Sequence, residues 1–184
     1  MKKKSQVRRL LFLDRDGVVN LDKHYVYRIQ DIEYVEGIFH LCKYFSAKNF
    51  EIVIVTNQSG IARGFFSEGD FESVMVYILE KFQSEGIQIL SYAYCPHRPT
   101  DLCKCRKPLP GLFTQAMERF NALPENCISI GDRERDIVAA ISAGIQQNYL
   151  LQDKELSLSN LSGTVLVNSL SEIIKFHESR PFEA

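Results

Sequence analysis

The run Leu10-Leu11-Phe12-Leu13, which ends at once in Asp14-Arg15-Asp16-Gly17, constrains this chain more than any other stretch. A short, bounded apolar run suits a buried strand rather than a helix. Strands of a parallel sheet are covered on both faces and read as continuous apolar runs. Ligands of such sheets bind beyond the carboxyl ends of the strands, where Asp14 and Asp16 fall. Taken alone, Asp-Arg-Asp-Gly reads equally well as a polar turn.

The same grammar recurs downstream. Glu51-Ile52-Val53-Ile54-Val55-Thr56-Asn57 is a β-branched strand that runs into the polar loop Thr56-Asn57-Gln58-Ser59-Gly60. Ser91–Tyr94 gives a third strand, and Cys127–Ile130 a fourth that ends in Gly131-Asp132-Arg133. Tyr149–Leu151 and Thr164–Val167 supply two more. Helical spacing fills the intervals. Ile38, Leu41, Cys42 and Phe45 make one apolar stripe within Gly37–Lys48, so Cys42, like Cys127, reads as a core thiol. Ser67 and Asp70 form an imperfect capping box for a helix to about Glu85. A helix with Leu112, Phe113, Ala116, Met117 and Phe120 on one side is expected after Pro110 and Gly111, and others from about Glu134 to Ala143 and from Leu170 to Phe176, with His40 and His177 on helix surfaces.

Strands alternating with helices predict one α/β domain over 1–184, a Rossmann-like three-layer α/β/α sandwich with a mainly parallel sheet. Leu21–Arg28 reads as a loop over the strand ends, and residues 152–163 as a Ser-rich surface loop. No insertion is long enough for a cap domain, so an open site and a monomer are expected.

The net charge is −1, which gives no global reason to expect nucleic acid or a membrane surface. Lys2, Lys3, Lys4, Arg8 and Arg9 cluster at the start and read as a solvated terminus. No stretch is apolar for the length of a membrane span or a signal-peptide core, and a cytoplasmic protein is expected. The 5 cysteines, odd in number and without a secretory context, argue against a disulfide framework.

In a parallel sheet the strand ends share one edge. Asp14, Asp16, Thr56, Asn57, Lys107 and Asp132 then meet in one crevice. Clustered carboxylates repel, and a hard cation with oxygen ligands relieves them; Mg²⁺ also leaves room for water and phosphate. Phosphoryl chemistry follows. One carboxylate can attack phosphorus, and a second can protonate the leaving oxygen and later activate water. Lys107 and Thr56 would neutralise and hydrogen-bond the transferring oxygens, with Asp132 completing the metal site.

The second chemical signal is Cys95-Pro96-His97 with Cys103-Lys104-Cys105, a C-x-H-x5-C-x-C arrangement in a loop over 95–107. Three thiolates and an imidazole close a tetrahedral zinc site with no position left for water, so this Zn²⁺ is expected to be structural. Arg106 and Lys107 follow directly, and a loop folded on zinc would place them.

Asp14-Arg15-Asp16-Gly17-Val18, Thr56-Asn57, Lys107 and Gly131-Asp132-Arg133-Glu134-Arg135-Asp136 resemble the four signature motifs of the haloacid dehalogenase superfamily of phosphatases. The resemblance implies that Asp14 is the nucleophile and Asp16 the acid/base. It also implies Mg²⁺ held by Asp14, the backbone carbonyl of Asp16 and Asp132, with Asp136 supporting. Cys103-Lys104-Cys105-Arg106-Lys107-Pro108 resembles the capless, zinc-loop branch, which includes heptose bisphosphate and histidinol phosphate phosphatases. The stretch from Thr56 to Gly64 looks like the heptose group.

That likeness implies removal of the C7 phosphate of a heptose 1,7-bisphosphate, as in the making of nucleotide-activated heptose, with histidinol phosphate as the alternative substrate. It places Asp22, Lys23, His24 and Tyr25 on the sugar, and Thr56, Asn57, Gln58 and Ser59 around the phosphoryl group. Arg106 would meet the phosphate that is not cleaved. Arg133, an anion-binding candidate, stands where many heptose enzymes have Lys, and His24 where many have Gly. Arg63 reads either as an anion contact or as a solvated loop residue. The non-enzymatic alternatives are a phospho-accepting receiver domain and a zinc module for nucleic acid or protein. Turnover of any small phosphoester separates both from a phosphatase.

Overall fold

The computed structural model describes residues 8–152, 161 and 163–179. Lys2–Lys4 and most of the expected 152–163 loop lie outside these. The strands are β1 (Arg8–Leu13), β2 (Phe50–Asn57), β3 (Ile89–Cys95), β4 (Ala122–Gly131), β5 (Gln147–Leu151) and β6 (Thr164–Val167). The helices are α1 (Ile38–Ala47), α2 (Gly60–Arg63), α3 (Glu68–Ser84), α4 (Gly111–Phe120), α5 (Glu134–Ser142) and α6 (Leu170–Ser179).

All strands pair in parallel, in the order β3-β2-β1-β4-β5-β6. The order reverses between β1 and β4, so a crevice opens beyond their carboxyl ends. Alternation explains why the strands read as unbroken apolar runs. Leu11 and Leu13 of β1, with Ile52 and Ile54 of β2, pack into the core under α1, α3 and α6. Leu10, Phe12, Val53 and Val55 point the other way, into the core under α4 and α5. This is the three-layer sandwich the alternation of elements predicts.

The local signals hold with small changes. Ser67 caps α3: the Asp70 N–H donates to Ser67 Oγ at 3.1 Å and the Ser67 N–H donates to Asp70 Oδ2 at 2.8 Å. Cys42 and Cys127 are buried in the two cores. One expectation is corrected. His40 is exposed as anticipated, but His177 is only 4% exposed. It extends the stripe Leu170, Ile173, Ile174 of α6 by one turn, and its Nδ1 lies 2.9 Å from the Tyr44 hydroxyl. Its ring meets Phe45 edge-on at 4.9 Å between centroids.

Candidate active site

The ends of β1, β2 and β4 and the loops beyond them enclose a cleft of about 290 Å³. Asp14, Asp16, Asp22, His24, Tyr25, Thr56, Asn57, Gln58, Ser59, Arg106 and Arg133 line it, with Arg63 and Arg135. Lys107 and Asp132 are not among the lining residues, but both lie close to Asp14, which is. Lys23, expected on the sugar, does not line the cleft, and its ammonium lies 2.8 Å from Glu33.

Asp14 caps β1, held by its N–H donating to Ile130 O of β4 at 3.0 Å. Lys107 is 1% exposed, and its ammonium stands 2.9 Å from Asp14 Oδ1 and 2.7 Å from Asp136 Oδ1. It also donates to Val55 O at 2.9 Å. Burial lowers the Lys107 pKa, but Asp136 and Asp14 together outweigh it, so the ammonium stays charged. Burial pushes Asp14 up to about 6, with Asp136 and Asp16 adding to it and Lys107 opposing.

Asp132 is pushed up to about 8, chiefly by burial and then by Asp14 and Asp136. Its Oδ1 is buried without a hydrogen-bond partner. Oxygens of Asp14, Asp132 and Asp136 all lie within 4.8 Å of one another. Asp136 is already committed, with Oδ1 on Lys107 and Oδ2 accepting from the Arg133 N–H at 3.0 Å. The free acceptor of Asp132 beside Asp14 therefore marks where a hard cation fits. Gly17 permits this approach. Its φ is +95°, and a Cβ there would overlap the Asp132 carboxylate.

The expected zinc ligands also converge. Sγ of Cys95 lies 3.5 Å from His97 Nδ1 and 3.7 Å from Cys103 Sγ, and Cys105 Sγ lies 3.3 Å from His97 Nδ1. Zn–S and Zn–N bonds of about 2.3 and 2.0 Å give tetrahedral edges of about 3.8 Å (S–S) and about 3.5 Å (S–N). The four donors fit that ion. Cys95 ends β3, and its carbonyl accepts from the Gln58 N–H at 2.7 Å, which ties the metal loop to the cleft wall.

At the mouth, Asp22 accepts from the His24 N–H at 3.0 Å and from Arg133 Nη2 at 2.5 Å. Burial acts to raise Asp22, but these two donors hold its carboxyl below the ordinary value. His24 and Tyr25 both take left-handed backbone, with φ of +58° and +57°. A position of that conformation suits Gly, which many heptose enzymes carry where His24 stands.

Arg15 and Asn20 have places the sequence did not reveal. Both are fully buried, and both donate to Asp16. Gln58 joins them, its Nε2 reaching Asp16 Oδ2 and Thr56 Oγ1 at 2.9 Å each. Only the adjacency of Arg15 to the two acids could have marked it in advance.

The HAD-hydrolase-like family model matches residues 104–173. The D-glycero-alpha-D-manno-heptose-1,7-bisphosphate 7-phosphatase of Campylobacter jejuni subsp. jejuni serotype O:2 is 45% identical over 145 residues, covering 79% of this chain and 83% of that one. The D-glycero-beta-D-manno-heptose-1,7-bisphosphate 7-phosphatase of Yersinia pestis is 33% identical over 179 residues, covering 92% and 95%. The crystal structure of D,D-heptose 1,7-bisphosphate phosphatase from B. bronchiseptica, complexed with magnesium and phosphate, superposes with a TM-score of 0.84 at 29% identity, covering 93% and 98%. The chain is a phosphatase and belongs to the haloacid-dehalogenase-like D-glycero-D-manno-heptose-1,7-bisphosphate 7-phosphatase family.

Proposed function

We propose that this phosphatase removes the C7 phosphate of D-glycero-D-manno-heptose 1,7-bisphosphate through an aspartyl-phosphate on Asp14, a step toward nucleotide-activated heptose. One observation carries the choice of a bisphosphate. Beyond Lys107 at the transfer centre, the cleft is lined by Arg63, Arg106, Arg133 and Arg135, more cationic groups than a single phosphate requires. Arg106 is the proposed contact to the phosphate that stays, since a guanidinium suits bidentate anion binding.

Asp14 Oδ1 accepts from the Arg15 N–H at 2.8 Å and from Lys107, so we assign attack on phosphorus to Oδ2. In the first step the Asp14–phosphorus bond forms and the bond to the C7 oxygen breaks. Asp16 gives its proton to that oxygen. In the second step water attacks phosphorus, its proton returns to Asp16, and Asp14 is released. Thr56, Asn57, Gln58 and Ser59 surround the transferring group, and Lys107 balances its charge. Asp22, His24 and Tyr25 face the sugar.

Asp14, Asp132 and the backbone carbonyl of Asp16 are the proposed Mg²⁺ ligands. Asp132 Oδ1, buried without a hydrogen-bond partner and close to Asp14, is the acceptor that supports this choice. When bound, magnesium would supply charge neutralisation to the phosphate oxygens. Zn²⁺ on Cys95, His97, Cys103 and Cys105 is proposed to be structural, fixing the loop that delivers Arg106 and Lys107.

The test is phosphate release from both anomers of heptose 1,7-bisphosphate and from histidinol phosphate, side by side, for the native enzyme and Asp14→Asn. The expected outcome is a clear preference for a heptose bisphosphate and no turnover by the folded variant. A preference for histidinol phosphate would refute the substrate, and turnover by Asp14→Asn would refute the nucleophile.

A further inference from the structure

We propose that Arg15, the residue between the two aspartates, is a positioning residue that locks the Asp16 carboxylate and the substrate-facing loop into one rigid unit. The proposal rests on Asp16 being the acid/base, as put forward above.

The Arg15 side chain is 0% exposed, an unusual place for a guanidinium. Nε lies 3.2 Å and Nη2 2.9 Å from each oxygen of Asp16. Nη2 also donates to Val26 O at 2.8 Å, directly after the loop that carries Asp22, His24 and Tyr25. The guanidinium carbon sits 5.6 Å from the ring centroid of Phe71 in α3, which fixes the plane from behind. The Arg15 N–H meanwhile donates to Asp14 Oδ1. One residue thus orients both aspartates, the acid by its side chain and the nucleophile by its backbone.

Stability alone gives no reason for this choice. Buried charges replaced by well-packed apolar groups are often tolerated or favourable, and Arg15 Nη1 is buried with no hydrogen-bond partner. The fork does what an apolar side chain or a lysine cannot, fixing both oxygens of a carboxylate in one plane. Asn20 Nδ2 at 3.0 Å and Gln58 Nε2 at 2.9 Å complete the cradle. Only the cleft-facing part of the Asp16 side chain, 22% exposed, is left to meet a leaving oxygen. A misplacement of about 1 Å at such a group costs on the order of 100-fold in rate.

The test compares two leaving groups in single-turnover experiments with enzyme in excess. Heptose 1,7-bisphosphate expels an alkoxide that needs a proton, whereas 4-nitrophenyl phosphate expels a phenolate that does not. Asp16→Asn is the reference, expected to lose roughly 100-fold or more beyond its loss on the aryl ester, within the range for general acids. Arg15→Met is expected to show the same bias, at about 10- to 100-fold, and Arg15→Lys a smaller bias in the same direction. Arg15→Lys keeps the buried charge and supplies the measurement if Arg15→Met does not fold. Equal losses on both esters in the Arg15 variants, with Asp16→Asn still discriminating, would overturn the positioning role. No discrimination by Asp16→Asn would instead overturn the acid/base assignment on which it rests.

Discussion

The side-chain amide of Asn57 grips the backbone of Lys107 from both sides. Nδ2 donates to Lys107 O at 3.0 Å, and the Lys107 N–H donates to Asn57 Oδ1 at 3.1 Å. The end of β2 therefore places the ammonium that stands between Asp14 and Asp136, although 50 residues separate the partners in sequence. Asn57→Ala removes both bonds and leaves the Lys107 backbone groups without these partners. We expect a stability loss of about 1–3 kcal/mol. Turnover should fall on the order of 100-fold through misplacement of Lys107. Denaturant titration with steady-state kinetics checks both, and unchanged turnover would remove Asn57 from this role.

Zinc removal should act on the same ammonium from the other side. The loop that ends in Lys107 is held by Cys95, His97, Cys103 and Cys105, and burial pushes the Cys95 thiol up to about 12 without a metal. Binding zinc requires that proton to leave. We expect one zinc per chain by elemental analysis. Stripping it should abolish activity that added Zn²⁺ restores and Mg²⁺ does not. Full activity in a zinc-free protein would contradict the structural role.

Gly17 is where substitution should separate fold from metal site. With φ of +95° and the Asp132 carboxylate directly beside it, Gly17→Ala strains the backbone and displaces Asp132. The expected result is a folded protein whose magnesium requirement rises at least ~10-fold, measured as the Mg²⁺ concentration for half-maximal turnover.

Magnesium should remove the pH dependence of stability that the buried acids create. Asp14 at about 6 and Asp132 at about 8 lie above their unfolded value of 3.8 because of burial and neighbouring carboxylates. The folded chain then holds protons that the unfolded chain has released. That stabilisation is present at low pH and is lost as pH rises through about 6 and then about 8. His177, held low by burial and by Lys48 and Arg9, acts in the opposite sense, but only below its ordinary 6.5. Between about pH 6.5 and 8, magnesium-free protein with zinc in place should lose stability, whereas magnesium, which binds the ionised acids, should abolish the loss. Urea midpoints across that window, with and without Mg²⁺, read it directly.

The sheet was legible because β1 and β2 are buried on both faces and so are unbroken in hydrophobicity. The first half of β4 was not. Leu123-Pro124-Glu125-Asn126 has no strand pattern, and it joins β1 through a register shift between Arg8 and Leu10. The four residues of α2 are too few to show a helical period. His177 did sit at the right spacing on the α6 stripe, but an imidazole reads as polar until Tyr44 is seen to meet it. The motif residues were legible as chemistry because parallel topology sends strand ends to one edge. Arg15 was not, since a charged side chain between two acids looks like a solvated turn. Its partners Val26 and Phe71 reach it only through the fold.

Asp14 is proposed to take one particular phosphate, that on C7, from a heptose 1,7-bisphosphate. Phosphorus NMR of the enzyme turning over that substrate with Mg²⁺ follows each phosphate separately. We expect the C7 phosphomonoester signal to be replaced by inorganic phosphate while the C1 signal persists. Loss of the C1 signal, or an unchanged spectrum from an enzyme active on other phosphoesters, would contradict it.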